Sequence, residues 1–297
     1  YRIFNDDMQG TGAIVMAAVI SGLKVTGESF SDQRLVVFGA GTAGTGMADQ
    51  IHAAMVRDGL NEADARARIW LVDRDGLVTD DMDALPDYQQ AYARPASEVA
   101  SWKRHGRRIE LLDVVERVEP TILIGTSTLH NAFTEEVVTA LARGVERPIL
   151  LPLSNPTSRI EVSPEDAIRW SDGRALLATG IPVPPIEYEG TAFHIGQGNN
   201  ALLYPGLGLG TIVAGASRIT DGMLLAAARA VAGQVDATPL GSSLLPAVED
   251  LRASSATVAV AVIEAAQADG VAAADVGDPV QAVLDAMWQP VYPDDLG

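Results

Sequence analysis

The sequence of 297 residues contains no cysteine. This absence excludes disulfide bonds, thiolate metal sites and a cysteine nucleophile, and it fits a location in the reducing cytoplasm. Basic side chains are few, since 21 Lys and Arg residues stand against 39 Asp and Glu residues and give a formal net charge of −18. Because binding to nucleic acid requires clustered basic side chains, we expect no nucleic-acid partner.

Long apolar runs are absent as well. No stretch of 18 uninterrupted apolar residues suggests a membrane span, and no signal peptide is visible, so we expect no membrane partner. Hydrophobic residues nevertheless make up 47% of the chain, which is enough for a sizeable core. The chain starts at Tyr1 rather than at methionine, and we interpret it as a piece of a longer protein.

A glycine-rich turn is the most informative stretch. Gly39, Gly41 and Gly44 have the spacing G-x-G-x-x-G and enclose Thr42 and Ala43. Four apolar residues precede the turn and apolar residues at helical spacing follow it, so the pattern predicts a strand, a tight turn and a helix. Such a turn lets the backbone approach a pyrophosphate, and the helix N-terminus offers free N–H groups. The context favours a dinucleotide site over an ordinary glycine turn.

An acidic residue ends the next predicted strand, at 69–72. The Asp73 carboxylate can accept hydrogen bonds from the adenosine ribose hydroxyls, which favours NAD. Arg74 follows directly and could instead hold the 2′-phosphate of NADP. Further aspartates nearby would repel that phosphate, so we predict NAD, with NADP as the alternative. A helical turn predicted at 61–68 accounts for the long gap between the glycines and Asp73.

Strand-like and helix-like patterns alternate through the middle of the chain. Strands are predicted at 121–124, 148–151 and 175–178, helices at 109–118, after Thr134 and after Ser163, a short helix at 96–102 and a small hairpin at 186–194. This alternation predicts an α/β fold, Rossmann-like and doubly wound, with a mainly parallel sheet. Helices predicted at 220–235, 254–268 and 279–287 add a helical C-terminal extension, followed by an extended tail at 288–293. A strand-like approach is predicted at 1–4.

Small, amide and acidic residues stand where a cleft is expected. Gly125 and Thr126 follow one predicted strand, and Asn155 follows the next, extended because a proline comes after it. Asp6 and Asp7 precede the first predicted helix. They are interpreted either as a helix cap and dipole partner, or as part of a Mg²⁺ or Mn²⁺ site with one ligand and one orienting or acid–base residue.

Two glycines and three carboxamides are concentrated at 196–200. One interpretation is a polar loop, since these residues are common in turns. The other is a site for a small-molecule substrate, in which Asn199 and Asn200 donate to carboxylate or carbonyl oxygens without adding charge.

Together, six stretches resemble the malic enzyme family in order and rough spacing, from residue 1 to about 230. They are FNDDMQGT (4–11), GAGTAG (39–44), SNPT (154–157), WSDGRA (170–175), GQGNN (196–200) and YPG (204–206). The resemblance implies the C-terminal, NAD(P)-binding part of an enzyme that oxidises L-malate and decarboxylates the product to pyruvate and CO2 with Mg²⁺ or Mn²⁺. It also implies a homo-oligomer formed through the full-length chain.

The resemblance implies roles for individual residues. Asp7 would be a metal ligand, and Asp6 the acid beside it, paired with the family's catalytic lysine. Thr11 would lie near the nicotinamide. Asn155 would contact both cofactor and malate, and Asn200 would contact malate. On this basis we predict three segments: 1–30 with part of the metal site, a dinucleotide-binding domain at 31–218, and the helical extension at 219–297.

The chain also departs from the family pattern. The family's base lysine, acid tyrosine, substrate arginine and two further acidic ligands have no counterpart here, and Lys24 and Lys103 do not match the base position. We therefore expect this chain alone to bind cofactor without turning over malate. The loop at 126–133 has fewer glycines than usual, and Gly-Ile-Pro-Val at 180–183 replaces Gly-Ser-Pro-Phe. The alternatives are a non-catalytic dinucleotide-binding regulatory module and a related hydroxy-acid dehydrogenase.

Overall fold

The computed structural model describes residues 3–106 and 108–288. The strands are β1 (Leu35–Phe38), β2 (Ile69–Asp73), β3 (Gly76–Leu77), β4 (Ile122–Gly125), β5 (Ile149–Pro152), β6 (Leu176–Thr179), β7 (Ile186–Tyr188), β8 (Thr191–Phe193) and β9 (Gly196–Gln197). The helices are α1 (Thr11–Thr26), α2 (Thr42–Arg57), α3 (Glu62–Ala67), α4 (Asp87–Gln90), α5 (Leu111–Val118), α6 (Glu135–Gly144), α7 (Pro164–Trp170), α8 (Tyr204–Val213), α9 (Asp221–Ala232), α10 (Leu251–Ala268) and α11 (Pro279–Ala286). Single helical turns lie at Asp6–Gly10, Phe30–Asp32, Thr157–Arg159, Asn200–Leu202 and Val248–Asp250.

Seven of these strands form one sheet, in the order β3-β2-β1-β4-β5-β6-β9. All neighbouring pairs are parallel except β2 and β3. Because successive side chains of a strand point to opposite faces, Leu35 and Val37 enter one core while Val36 enters the other. Both faces are covered, which explains why β1, β4 and β5 are almost wholly apolar. The predicted Rossmann-like α/β fold with a mainly parallel sheet is confirmed.

The first long helix, α1, belongs to the core. It packs against α9, contacts β5, and buries residues on all its faces. Lys24 Nζ also donates to the carbonyl of Ala232 at the end of α9, at 2.9 Å. Within the described residues, the helical stretch Asp6–Thr26 is the one long and apolar enough to cross a bilayer. Most of it is buried inside the protein, so its hydropathy is accounted for by its place in the core.

The segment between β3 and α5 differs from the prediction. Residues 96–102 form turns rather than a helix, and the short helix α4 lies earlier. Long-range contacts explain the difference, because Ala96 N donates to Asp80 Oδ1 at 2.8 Å. The ring of Trp102 also stacks on that of Trp70 at 5.3 Å. These contacts favour an irregular path over local helix propensity.

Other elements match or extend the predictions. The hairpin is present as β7 and β8, paired with Ile186 opposite Phe193. The edge strands β3 and β9 were not predicted, because two-residue strands leave no periodic signal. Ile3 and Phe4 belong to no strand; Tyr1, Arg2 and the predicted tail at 289–293 lie outside the described residues.

Candidate functional site

The glycine turn lies between β1 and α2. Gly39 has φ +103°, and a Cβ there would stand 2.5 Å from the backbone of the loop after β4. A Cβ on Gly44 would stand 2.2 Å from the carbonyl oxygen of Gly39. Gly41 caps α2, and no described atom lies within 4 Å of its Cβ position. The open space therefore lies above the N-terminus of α2, where Thr42 and Ala43 begin the helix and free N–H groups can receive a phosphate.

Asp73 is fixed at the end of β2 by a buried glutamine that the sequence analysis missed. Gln89 Nε2 donates to Asp73 Oδ2 at 2.8 Å and to the carbonyl oxygen of Ala40 at 2.6 Å. Asp73 Oδ1 accepts from Arg74 N at 2.9 Å. Gln89 thus ties the ribose-binding candidate to the glycine turn.

The segment that carries Gln89 is anchored to α2. The Tyr92 hydroxyl donates to Asp49 Oδ1 at 2.7 Å. Burial and the neighbouring carboxylate raise the pKa of Tyr92 far above its usual value, so the phenol stays protonated and keeps donating. No feature of the irregular sequence at 76–106 signals either contact.

A cavity of about 1220 Å³ opens beside Asp73. Its lining carries both signs of charge: Asp73, Asp75, Asp81 and Asp83 with Arg74, Arg104 and Arg108. The Arg74 side chain is 90% exposed, and its Nε lies 4.0 Å from Asp75 Oδ2. The carboxylates favour ribose hydroxyls over an added phosphate. The Arg74 side chain, in contrast, is accessible to such a phosphate.

The two acidic residues near the start lie inside a helical turn. Asn5 caps this turn by accepting from Met8 N at 3.2 Å, so the prediction that the aspartates themselves form the cap is wrong. Asp6 and Asp7 occupy the first turn, where carboxylates are favoured by the helix dipole. Gln50 Nε2, from α2, donates to the carbonyl oxygen of Gln9 in the same turn at 3.2 Å. The acidic turn therefore rests on the helix that follows the glycine turn.

Asp6, Thr11 and Asn200 form a cluster although 194 residues separate the first from the last. Asn200 Nδ2 lies 3.2 Å from Asp6 Oδ2, 3.2 Å from the Asp6 carbonyl oxygen and 3.0 Å from Thr11 Oγ1. Asp6 Oδ1 is buried and has no hydrogen-bond partner among the described residues. A buried carboxylate oxygen without a partner is costly, so this atom is a candidate contact for a bound group.

This orphaned oxygen fits a hard divalent cation, which prefers carboxylate ligands. Asp7 is exposed. Within the described ranges, no group of three or more His, Cys, Asp or Glu residues could hold a metal ion by itself. The described residues can thus supply part of a coordination shell.

The remaining predicted residues lie at the carboxyl edge of the sheet or next to it. Asn155 is exposed just after β5. Asn199 Oδ1 accepts from Ala201 N at 3.0 Å, so its carbonyl caps the turn that carries Asn200. Thr126 Oγ1 donates to the carbonyl of Gly39 at 2.7 Å, and Gly125 packs on a buried glutamate. Thr11, predicted near the nicotinamide, lies in the Asp6–Asn200 cluster.

Comparison with known proteins shows similarity along most of the chain. Residues 8–267 match the family model described as "Malic enzyme, NAD binding domain". "NAD-dependent malic enzyme 3" of Bacillus subtilis is 56% identical over 291 residues, which cover 97% of this chain and 51% of that protein. "NAD-dependent malic enzyme" of Acinetobacter baylyi is 45% identical over 295 residues, covering 97% of this chain and 51% of that protein.

A solved structure shows the same fold. The malic enzyme from Pyrococcus horikoshii superposes with a TM-score of 0.75 at 25% identity, over 96% of this chain and 59% of that chain. This chain thus spans about half the length of the curated relatives it matches. Since the family model covers most of the sequence, the chain belongs to the malic enzyme family.

Proposed function

We propose that this chain is the NAD-binding part of an enzyme that oxidises L-malate and decarboxylates the product to pyruvate and CO2 with Mg²⁺ or Mn²⁺. The observation that carries the proposal is the contact between Asp6 and Asn200 beside the helix of the glycine turn. This contact brings an acidic group and an amide together near the glycine turn, to which we assign the dinucleotide. Relatives bearing the name NAD-dependent malic enzyme support it.

The cofactor would lie across the carboxyl edge of the sheet. The open space at Gly41 and the first residues of α2 would receive the pyrophosphate, and Asp73 would accept from the adenosine ribose. When bound, the nicotinamide would supply the redox chemistry. Gly125, Thr126 and Asn155 would border its other half, because β4 and β5 lie across β1 from β2.

The acidic cluster would serve the substrate side. Asp7 would help to hold a divalent metal beside Asp6, and the bound metal would supply Lewis-acid polarisation of the substrate oxygen. Asn200 orients the Asp6 carboxylate, so that Asp6 can hold or release a proton at a fixed position. The amides of Asn155 and Asn199 would donate to the substrate carboxylates without adding charge, whereas the Nδ2 group of Asn200 is directed at Asp6 and Thr11 and would hold the substrate side of the site in shape. Further ligands and the base would come from the part of the relatives' length that this chain does not match.

Cofactor binding and turnover test the proposal separately. We expect NAD⁺ to raise the melting temperature of this chain, whereas malate with Mn²⁺ gives no NADH absorbance until the remaining half of the enzyme is added. No thermal shift with either NAD⁺ or NADP⁺ would contradict the proposal. If the complete enzyme binds NAD⁺ but never forms NADH from malate, a regulatory module is favoured instead.

The choice between NAD and NADP depends on Arg74. The Arg74→Ala variant should leave NAD⁺ affinity unchanged, because the Arg74 side chain reaches into solvent. If the unsubstituted chain prefers NADP⁺ and the substitution weakens that binding alone, the NAD assignment is wrong.

A homo-oligomer in the cytoplasm is part of the same proposal. Sedimentation tests the oligomeric state, and cell fractionation tests the location.

A further inference from the structure

Glu161 is a buried carboxylate that the proposed reaction does not use. The residue is 0% exposed, and no basic side chain pairs with it within the described ranges. A buried charge is costly unless hydrogen bonds compensate for its lost hydration. Here they do, because Glu161 Oε1 accepts from Ser127 N at 2.8 Å, Ser127 Oγ at 2.9 Å and Ser154 Oγ at 2.5 Å. Glu161 Oε2 accepts from Ser154 N at 3.3 Å.

These two serines stand in different loops. Ser127 is two residues beyond β4, and Ser154 is two residues beyond β5. One carboxylate therefore joins the loops that follow two adjacent parallel strands. Gly125, at the end of β4, leaves room for it, since a Cβ there would lie 2.6 Å from Glu161 Cδ.

The two serine hydroxyls of this network also accept hydrogen bonds from the next two backbone amides. Thr128 N donates to Ser154 Oγ at 2.9 Å, and Leu129 N donates to Ser127 Oγ at 3.1 Å. Thr128 has φ +57°, in the left-handed region that a β-branched residue rarely adopts. Three successive N–H groups thus end, directly or through a hydroxyl, on Glu161, which holds an otherwise unfavourable backbone in place.

The loop after β4, one of the two that Glu161 joins, contacts the glycine turn. Thr126 Oγ1 donates to the carbonyl of Gly39 at 2.7 Å, and Thr126 N donates to the carbonyl of Phe38 at 2.8 Å. In the sheet, β2 with Asp73 lies on one side of β1, and β4 and β5 lie on the other. If Asp73 receives the adenosine ribose, the loops held by Glu161 border the nicotinamide half.

We propose that Glu161 is a positioning residue for the nicotinamide half of the dinucleotide, and that it acts by holding the loops after β4 and β5 in one arrangement. The proposal rests on the proposed dinucleotide-binding function. It distinguishes the two halves of the ligand, because Asp73, proposed to receive the adenosine ribose, lies on the other side of β1 from the loops that Glu161 holds.

Two ligands test this distinction in the full chain, including any sequence that flanks it in the natural protein. ADP-ribose contains the adenosine, both phosphates and the second ribose but lacks the nicotinamide ring, whereas NAD⁺ carries that ring as well. Glu161→Gln keeps the shape and one acceptor but places an NH₂ group against the donating Ser154 N. We expect it to weaken NAD⁺ binding roughly tenfold or more, as expected for lost hydrogen bonds to a charged group, and ADP-ribose binding by less than about twofold.

The matched control is Glu165→Gln. Glu165 is an exposed carboxylate four residues later, in the first turn of α7, so this variant should bind both ligands like the unsubstituted chain. If Glu161→Gln fails to fold, Ser154→Ala serves instead. It removes the acceptor for Thr128 N and one donor to Glu161 while leaving the Ser154 amide in place, and the same selective loss of NAD⁺ affinity is expected.

The possible results distinguish failure of the Glu161 proposal from failure of the proposed dinucleotide-binding function. Equal weakening of NAD⁺ and ADP-ribose would show that Glu161 serves only the stability of the fold and would overturn the inference. Unchanged affinity for both ligands in a folded variant would overturn it as well. If the unsubstituted chain binds neither ligand, the proposed function fails and the inference fails with it.

Discussion

At the scale of single residues, the glycines of the turn have different tasks. Gly44→Ala would place a Cβ 2.2 Å from the carbonyl oxygen of Gly39, whereas Gly41→Ala meets no described atom within 4 Å. We expect Gly44→Ala to lower the free energy of unfolding by about 1–3 kcal/mol through overpacking. Gly41→Ala should lower it by no more than about 1 kcal/mol, since only a helix cap is weakened. Denaturant titrations of both variants would measure this difference.

The substitution that costs little stability, Gly41→Ala, should nevertheless weaken cofactor binding. The Cβ of Gly41→Ala occupies the space proposed for the pyrophosphate, so NAD⁺ affinity should fall by about tenfold or more although the fold is kept. Titration calorimetry on the folded variant checks this. An unchanged NAD⁺ affinity in Gly41→Ala would contradict the position assigned to the pyrophosphate.

Thr128 offers a second test at this scale. The left-handed conformation costs an L-residue about 1–2 kcal/mol, and glycine avoids that cost at an entropic penalty of about 0.5–1 kcal/mol. Thr128 is exposed, so Thr128→Gly should raise the free energy of unfolding by about 0.5–1 kcal/mol. Asn131, with φ +56° in the same loop, is the control: asparagine tolerates this region, so Asn131→Gly should change stability by only about a few tenths. A loss of stability in Thr128→Gly would mean that its side chain makes a contact worth more than the strain.

Residue types and spacing predicted part of the candidate site. The glycine turn and Asp73 could be found because a strand signal precedes each of them. Gln89 and Glu161 could not, because each acts through contacts with residues far away in sequence and stands in a polar stretch without periodicity. The departure at 126–133 also has a structural meaning: Thr128 and Asn131 adopt the backbone that glycine would adopt more easily.

At the scale of elements, the contact between α8 and α10 depends on small residues. A Cβ on Gly206 would lie 2.6 Å from Ser255 O, and one on Gly210 would lie 2.6 Å from Ala259 O. Gly208, on the same helix, has no described atom within 4 Å of its Cβ position. The helices can approach closely only because the residues at i and i+4 lack side chains.

We therefore expect opposite effects within one helix. Gly210→Ala should destabilise the protein by about 1–3 kcal/mol, because the added methyl group separates α8 from α10. Gly208→Ala should stabilise it by about 0.5–1 kcal/mol, because alanine loses less backbone entropy in a helix. Thermal unfolding followed by circular dichroism distinguishes them. Equal destabilisation by both would show that the close approach of the two helices is not the cause.

Helices and strands with a strong hydrophobic periodicity were predicted well, and those with a weak periodicity were not. The helices α1, α9 and α10 and the strands β1, β4 and β5 lie within a few residues of their predictions. The helix expected at 96–102 is absent, because contacts with Asp80 and Trp70 outweigh local propensity. Short edge strands are decided by their neighbours in the sheet, which the sequence pattern does not reveal.

At the scale of the whole molecule, the mainly parallel sheet follows from the alternation of strands and helices, but the order of its strands and the joining of the two ends of the chain do not. The segments predicted at 1–30 and 219–297 meet, since α1 packs on α9 and one core holds residues of both and of the sheet. The predicted boundaries at 30 and 218 stay predictions. The contact of Asp6 with Asn200 depends on the same closure. Only the resemblance to the family linked these distant residues in advance.

Truncation tests whether the predicted extension is an independent domain. Removal of residues 219–297 would uncover the apolar face of α1 that packs on α9, so the remainder should lose its cooperative thermal transition. Removal of 279–297 is the control, because α11 contributes a single buried residue, Val283, to the core. After this removal a cooperative transition should remain, at a lower temperature. A sharp, unshifted transition after removal of 219–297 would show that the extension is separate.

The place of α1 in the core also has a consequence for synthesis on the ribosome. α1 is translated before α9, which covers one of its faces and begins at Asp221, nearly 200 residues later. At about 5–20 residues per second, the nascent chain waits about 10–40 s for that cover. Within this interval α2 and later β5 can cover part of α1, but the face that packs on α9 stays uncovered, so the nascent chain needs shielding of that face by a chaperone or by its own growing sheet.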